Sequence, residues 1–296
     1  MIILKLQGGM GNQMFQYAFA RSLQEKIKQN RIMLDISDFK YDILRNYSLK
    51  HFTLNDTVII DDTGRYNKFY DQRVNPILKI GTKFCPNFQY MIFSIFSIYL
   101  WDYAKYKEIK IIRQSKNIML HGLWQSGAYF DEISSIIADE FSVRGEALYE
   151  NQLLIDSIKN CNAVCVHVRR GDFLSTANKL SNCTNQYYEE AMKYIDTHVV
   201  YPIYFIFSDD IADVMKHFSF GQRQVFFVEK NNPDYEELRL MYNCKHFIIA
   251  NSTFSWWASY LAKNSNKIIV APETWYNDGR DTTYLMRKDW VVMENV

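Results

Sequence analysis

Two adjacent arginines, Arg169 and Arg170, close an apolar run in the stretch AVCVHVRRGDF, residues 163–173. Arginine keeps its charge at any physiological pH, and its planar fork matches phosphate oxygens in pairs. Neighbours on an extended strand point to opposite faces. Gly171 offers a bend that can bring both guanidinium groups to one anion. Asp172 can orient one of them, and His167 can hydrogen-bond a sugar or a phosphate. A bare Arg-Arg pair implies only a solvated strand end with a surface ion pair. Its position at the tip of a buried strand favours an anion site.

Three other stretches carry chemistry. In FSDD, Ser208, Asp209 and Asp210 follow another apolar run. Paired aspartates there can hold a divalent metal, or receive ribose or base groups. The competing role is a helix N-cap by Ser208 or Asp209, with acidic charge favoured at that end. Metal is the weaker reading, because Arg169 and Arg170 already supply positive charge. In NSTFSWWAS, the short polar residues Asn251, Ser252, Thr253 and Ser255 straddle Phe254 just before a helix. Backbone N–H groups at a helix start, with hydroxyls beside them, form an anion cradle; Trp256 and Trp257 read as core. In GGMGNQ, Gly8, Gly9 and Gly11 allow close backbone approach, and Asn12 follows them. This is not a P-loop, which needs G-K-[ST], and Met14 stands where a dinucleotide fingerprint read from Gly9 needs glycine. Asp35 lies near where a ribose-binding acid falls, which keeps an NAD(P)-dependent oxidoreductase open as an alternative.

These residues need a scaffold that gathers them. Ile2–Leu6 reads as a strand, the glycine stretch follows, and Phe15, Ala18, Phe19, Leu23 and Ile27 then mark one face of a helix. Residues 31–35 and Ile118–His121 read as further strands, and GAYFDEISSIIADEF as a helix. Residues 40 to about 110 mix aromatics, turns and isolated charges, and read as irregular with some helix. From residue 163 the pattern is regular. Strands at Ala163–Val168, Ile203–Phe207, Val225–Val228, Phe247–Ala250 and Ile268–Val270 alternate with helices such as QYYEEAMKYIDT, PDYEELRLMYN and SWWASYLAK. That alternation indicates parallel α/β sheets with helices on both faces. Ligands bind beyond the carboxyl ends of such strands, where HVRRGD, SDD, EKNN, NSTFS and APETWY all fall. The C-terminal half therefore reads as a nucleotide-type binding domain and the N-terminal half as a second α/β lobe. The expected division is 1–155 and 156–296.

Bulk properties narrow the classes. The 296 residues suffice for one large domain or two ordinary ones. A net charge of +1 provides no global field toward nucleic acid or acidic lipid, so any anion site is local. Five cysteines without a C-x-x-C suggest neither a disulfide framework nor a zinc site. MIFSIFSIYLW, residues 91–101, is the most apolar segment. It falls short of the ~20 residues that span a bilayer and reads as a buried helix, with a membrane-surface segment as the alternative.

Together, GGMGNQMFQYA, HVRRGD, FSDD and NSTFSWWAS resemble the bacterial α-1,2-fucosyltransferase family, glycosyltransferase family 11, in order and over residues 7–259. The GNQ, HxR and S-[ST]-F-S elements are more distantly similar to those of α-1,6- and protein O-fucosyltransferases. The resemblance implies a GT-B fold of two Rossmann-like lobes with a ligand cleft between them, the first on the acceptor side and the second binding the donor. It implies GDP-β-L-fucose as donor, inversion, and no metal or other cofactor. By motif position, Arg169 and Arg170 hold the diphosphate and His167 lies at the donor. Asp209 or Asp210 lies near the guanosine, Ser208 and Asn251 in the same donor-side motifs. Ser252, Thr253, Phe254 and Ser255 line phosphates and base. Asn12, with Gly9 and Gly11, comes from the other lobe and is expected to reach the sugar or the β-phosphate.

Several expectations follow from the resemblance. Catalysis rests on Arg169 and Arg170 stabilising charge on the departing GDP, with Arg170→Ala nearly inactive. Asp172 is the candidate base. The acceptor is a galactose-terminated oligosaccharide or lipid-linked glycan, recognised within residues 36–115, in surface polysaccharide synthesis. Lacking the N-terminal anchor of vertebrate members, the chain is expected in the bacterial cytoplasm, at most peripheral to the inner membrane, with no nucleic-acid partner. The alternatives are a transferase of another GDP-sugar or linkage, the oxidoreductase above, and a non-catalytic nucleotide- or glycan-binding protein.

Overall fold

Each half of the chain is built on an all-parallel sheet. The structure is a computed structural model and describes residues 1–67, 117–170, 183–229 and 232–295, with the backbone of 98–100. It divides into two units, Met1–Ser142 and Val143–Val296.

The first unit holds strands β1 (Ile2–Lys5), β2 (Ile32–Asp35), β3 (Val58–Asp61), β4 (Ile98–Leu100) and β5 (Ile118–His121) in the order β3-β2-β1-β5-β4. All are paired in parallel. β1 is buried along its whole length, as expected of a central strand covered on both faces. Helix α1 (Met10–Ile27) packs against β1 and β2. It is not the one-faced helix expected: Gln13 through Gln24 are all buried. Its far side is covered by the segment after β5, where Phe19 stacks on Trp124 at 4.2 Å and Phe15 meets Phe130 at 6.0 Å. The expected helix from Gly127 begins as two short 3-10 turns and becomes α2 only at Ser134–Glu140. The region read as irregular contributes two strands, β3 and β4. Ile98–Leu100 is extended rather than helical; the rest of the apolar 91–101 segment lies outside the described residues.

The second unit holds α3 (Tyr149–Lys159), β6 (Asn162–Val168), α4 (Asn185–His198), β7 (Pro202–Ser208), α5 (Ile211–His217), β8 (Gln224–Phe227), α6 (Asp234–Tyr242), β9 (His246–Ile248), α7 (Thr253–Leu261), β10 (Ile269–Pro272) and β11 (Val291–Met293). The boundary expected at 155/156 falls inside α3. That helix goes with this unit because it packs on β6 and α6, with the Asn151 amide donating to Asn232 at 2.8 Å. The sheet order is β11-β10-β9-β6-β7-β8, with β11 unforeseen from the sequence. Val164, Val166 and Val168 pack one face of β6 against Tyr187, Tyr188, Ala191, Met192 and Ile195 of α4. Ala163, Cys165 and His167 alternate onto the other face. Trp256 and Trp257 are fully buried core residues.

Candidate active site

Strand order locates the site. In the second sheet the chain runs outward from β6 through β7 and β8, then returns to β9 on the other side of β6. Ligands of open α/β sheets bind at such a reversal, beyond the carboxyl ends of the strands. Arg169 follows β6 and Ser252 follows β9, and the Arg169 Nη1 donates to Ser252 Oγ across that gap at 3.4 Å.

Ser252 is also the N-cap of α7, its hydroxyl accepting from the Phe254 N–H at 3.3 Å. The guanidinium of Arg169 thus lies against a helix N-terminus, where backbone N–H groups and the helix dipole already favour an anion. Phe254 faces His167, ring centres 5.9 Å apart. The Asn251 amide donates to the Trp275 carbonyl at 3.1 Å, and Ser255 Oγ turns back to the carbonyls of Ala250 and Ser252. Asn251, Ser252 and Ser255 are buried, whereas Thr253 and Phe254 are partly exposed.

His167 is 6% exposed, and its Nδ1 is buried without a hydrogen-bond partner among the described residues. Burial first, and the neighbouring Arg169 charge second, push its pKa down to about 3. The ring is therefore neutral at physiological pH. In that state it can donate or accept a hydrogen bond. Its carbonyl is fixed by the Tyr188 hydroxyl at 3.0 Å.

The two arginines do not converge. The alternation of β6 continues past its end, so Arg169 leaves on the His167 side and Arg170 on the α4 side. The Arg170 Nη2 donates to Asn185 Oδ1 at 2.8 Å, its Nε lies 3.0 Å from Asp213 Oδ2, and its guanidinium stacks 4.9 Å from the Phe218 ring centre. The Arg170 N–H donates to Asp209 Oδ1 at 2.7 Å, tying the ends of β6 and β7 together. Asp210, rather than Ser208 or Asp209, caps α5 by accepting from the Asp213 N–H, and Ser208 Oγ accepts from the Asp210 N–H. Gly171 and Asp172 lie outside the described residues. Asn185, Asp213 and Phe218 were not singled out from the sequence; no local pattern marks them.

In the first unit, Gly9 caps α1 and Gly11 already sits within its first turn, buried. The glycine whose backbone demands glycine is Gly8, with φ +77°. Asn12 lies beside it and accepts from the Gln125 amide at 2.8 Å. Gln13 staples the turn, donating to the Gly8 and Asn46 carbonyls and accepting from the Ser48 N–H. A separate cavity of about 530 Å³, lined by Asp196, Tyr204 and Arg223, lies at the amino ends of β7 and β8, the edge opposite to Arg169.

Fold and topology define a class: a two-unit α/β protein with Rossmann-like parallel sheets, of the GT-B type. The chain belongs to glycosyl transferase family 11, whose pattern it matches over residues 1–294. It is 31% identical to the O-antigen biosynthesis glycosyltransferase WbnK of Escherichia coli, over 97% of this chain and 98% of that one. It is 31% identical to an alpha-1,2-colitosyltransferase of Escherichia coli, over 93% and 92% of the two chains. In three dimensions it is similar to the fucosyltransferase NodZ from Bradyrhizobium, with a TM-score of 0.53, 15% identity, and coverage of 88% and 91%. The fold and family expected from the motifs are thus found. Among the described residues no helix is long and apolar enough to cross a membrane.

Proposed function

We propose that this glycosyltransferase moves L-fucose from GDP-β-L-fucose to the 2-hydroxyl of a terminal β-galactoside on a bacterial surface glycan, with inversion and without a metal. The observation that carries the reading is the placement of the Arg169 guanidinium against the Ser252-capped start of α7, at the chain reversal between β6 and β9. A diphosphate there meets a bidentate cation and backbone N–H groups together. As the bond from the sugar C1 to the β-phosphate oxygen breaks, charge grows on the departing GDP. The preorganised donors hold that added charge more tightly than the lesser charge of the bound GDP-sugar. The acceptor oxygen bonds C1 from the opposite face and its proton leaves to a base. Asp172 is the candidate for that role, and a pH profile unchanged in Asp172→Asn would remove it. His167, neutral, contributes a hydrogen bond rather than a proton relay.

The similarity to a colitosyltransferase supports a second reading with the same chemistry and a different donor, GDP-activated colitose. The test is incubation with GDP-fucose or GDP-colitose and lactose, N-acetyllactosamine or Galβ1-3GalNAc, with and without EDTA, the linkage being read by NMR. An α-1,2-fucosylated galactoside formed equally with EDTA is the expected result. Turnover of GDP-colitose alone would move the assignment to the second donor. We place the reaction at the cytoplasmic face of the inner membrane, where an acceptor carried on lipid is built; fractionation of cells expressing a tagged chain checks this.

A further inference from the structure

The cavity at the amino ends of β7 and β8 takes no part in the transfer reaction. Its volume of about 530 Å³ falls within the range of about 300–1,000 Å³ that holds small organic ligands. All of its walls belong to the second unit: the last turn of α4, the turn that follows it, and the starts of β7 and β8.

One wall is polar, and its charges are matched. Arg223 Nε donates to Asp196 Oδ2 at 2.8 Å, and the hydroxyl of the buried Tyr204 donates to Asp196 Oδ1 at 2.6 Å. Burial first, and the bond to Asp196 second, raise the Tyr204 pKa, so the phenol stays a donor. Arg223 Nη1 also donates to the Phe220 carbonyl at 3.4 Å. A carboxylate has about four acceptor sites and a guanidinium five N–H groups, so both keep capacity beyond these bonds. Asp196 is 35% exposed and Arg223 19%, which leaves that capacity within reach of a ligand. Gln222 and Gln224 add exposed amides. Asp196 and Arg223 are the charged residues of the lining and neutralise each other, so no surplus charge awaits a phosphate or a carboxylate.

The other wall is Tyr201, which is 89% exposed and has φ +48°. A bulky residue rarely adopts positive φ, and the proline that follows, Pro202, favours extended backbone near about −120°. The turn is pinned by the Asn162 amide, which donates to the Val200 carbonyl at 2.7 Å. Glycine would take this conformation freely. With the ring in solvent, packing does not offset the strain, and strain of this kind concentrates where ligands are held. An exposed tyrosine offers a large, rigid contact surface at low entropic cost. The C–H face of a pyranose lies flat on such a ring, while its equatorial hydroxyls reach a carboxylate and a guanidinium at the side.

We propose that this cavity is a second, non-catalytic glycan site that binds an uncharged oligosaccharide, with Tyr201 stacking on a sugar ring and Asp196 and Arg223 hydrogen-bonding its hydroxyls. A nucleotide base would also stack on Tyr201, but its phosphates would meet no surplus cation in the lining. The seven residues of β7, at about 3.3 Å each, set the cavity about 20 Å from the Arg169 edge. The site therefore holds a stretch of glycan that is not itself reacting. The choice of a sugar as occupant rests on the glycosyl-transfer reading above; the site lies beyond it.

Fluorine NMR on the full chain labelled with meta-fluorotyrosine tests this. The Tyr201 resonance is the one missing from Tyr201→Gly, and the probes are lacto-N-tetraose, maltoheptaose and GDP. The expected result is that at least one of the two neutral sugars moves the Tyr201 resonance along a saturating curve with a Kd of about 1 mM. That Kd changes less than about twofold between about 0.1 M and about 1 M salt, because the site carries no net charge. GDP leaves the resonance in place. Arg223→Met raises the sugar Kd about tenfold, the scale of a lost hydrogen bond. Tyr201→Gly unfolds at a temperature no lower than the wild type, because glycine removes the strain, and the ring is then shown not to be a structural support. The site is overturned if neither sugar moves the resonance at about 20 mM, if GDP moves it as far, or if Tyr201→Gly lowers the unfolding midpoint. None of these readings needs turnover, so absence of transfer by the wild type would strike only the reading of the reaction.

Discussion

Arg169→Ala is expected to abolish donor binding and leave folding intact, and Arg170→Ala to do nearly the reverse. Arg170 is held from three sides, by Asp213 at 3.0 Å, by Asn185 at 2.8 Å and by the face of Phe218 at 4.9 Å. The ion pair is 20% and 27% exposed, so it is only partly screened. A charged hydrogen bond contributes about 1.5–3 kcal/mol and a partly exposed cation–π contact about 0.5–1 kcal/mol. Such contacts do not add fully, and Asp213 keeps His217 at 2.9 Å when Arg170 is gone. A loss of about 2–3 kcal/mol of stability is therefore expected. The Arg169 guanidinium donates to Ser252 over a long 3.4 Å, and its removal should cost less stability than that of Arg170, under about 2 kcal/mol. It should, however, weaken GDP binding about 100-fold or more, the scale of a lost bidentate charged contact. Urea unfolding at pH 7 and GDP calorimetry on both variants give the two numbers. Arg170→Ala with Asp213→Ala should show a coupling of about 1 kcal/mol in unfolding free energy. If Arg170→Ala unfolded like the wild type yet lost GDP as completely as Arg169→Ala, the two arginines would form the joint clamp expected from their adjacency, and the division of roles argued from β6 would be wrong.

Other expectations follow from the same geometry. The folded chain holds His167 neutral down to about pH 3, whereas the unfolded chain protonates it below 6.5. The unfolded state therefore binds more protons in that window, and stability falls as pH is lowered through it, by about 1.4 kcal/mol per unit from this ring. Comparing His167→Gln with wild type in urea at pH 7 and pH 5 isolates that slope, which the variant should lack. Ser252→Ala removes the α7 cap and the Arg169 partner; about 1 kcal/mol of stability should go, and Ser252→Gly should restore most of that but not GDP affinity. Gly8→Ala places a Cβ in the left-handed region and against Asn12. It should cost about 1–2 kcal/mol in unfolding experiments.

Local chemistry made much of this protein legible. The apolar runs of the C-terminal half became β6 through β10; all but the edge strand β8 are largely buried on both faces, and such strands are continuous hydrophobic stretches that a sequence displays directly. The polar residues after them fell at one edge because parallel strands end on the same side. Even the two alternatives weighed for Arg169 and Arg170 were set by local rules: strand alternation sent them to opposite faces.

Choosing between those alternatives required partners distant in sequence. Asp213 and Asn185 lie 43 and 15 residues from Arg170, and only the packing of α4 and α5 beside β6 brings them to it. Strands β3 and β11 escaped notice because they are mostly only partly buried and no α-helix precedes them to complete an alternating pattern, and β4 lies inside the segment read as a helix. The bond from Gln125 to Asn12 was invisible for a deeper reason. It comes from β5 returning to lie beside β1, and a chain reversal is a property of strand order. Sequence alone determined which residues could carry charge, cap a helix or line a strand. Tertiary structure decided which of them share a site, because hydrogen bonds between side chains act over about 3 Å in space, whatever their separation along the chain.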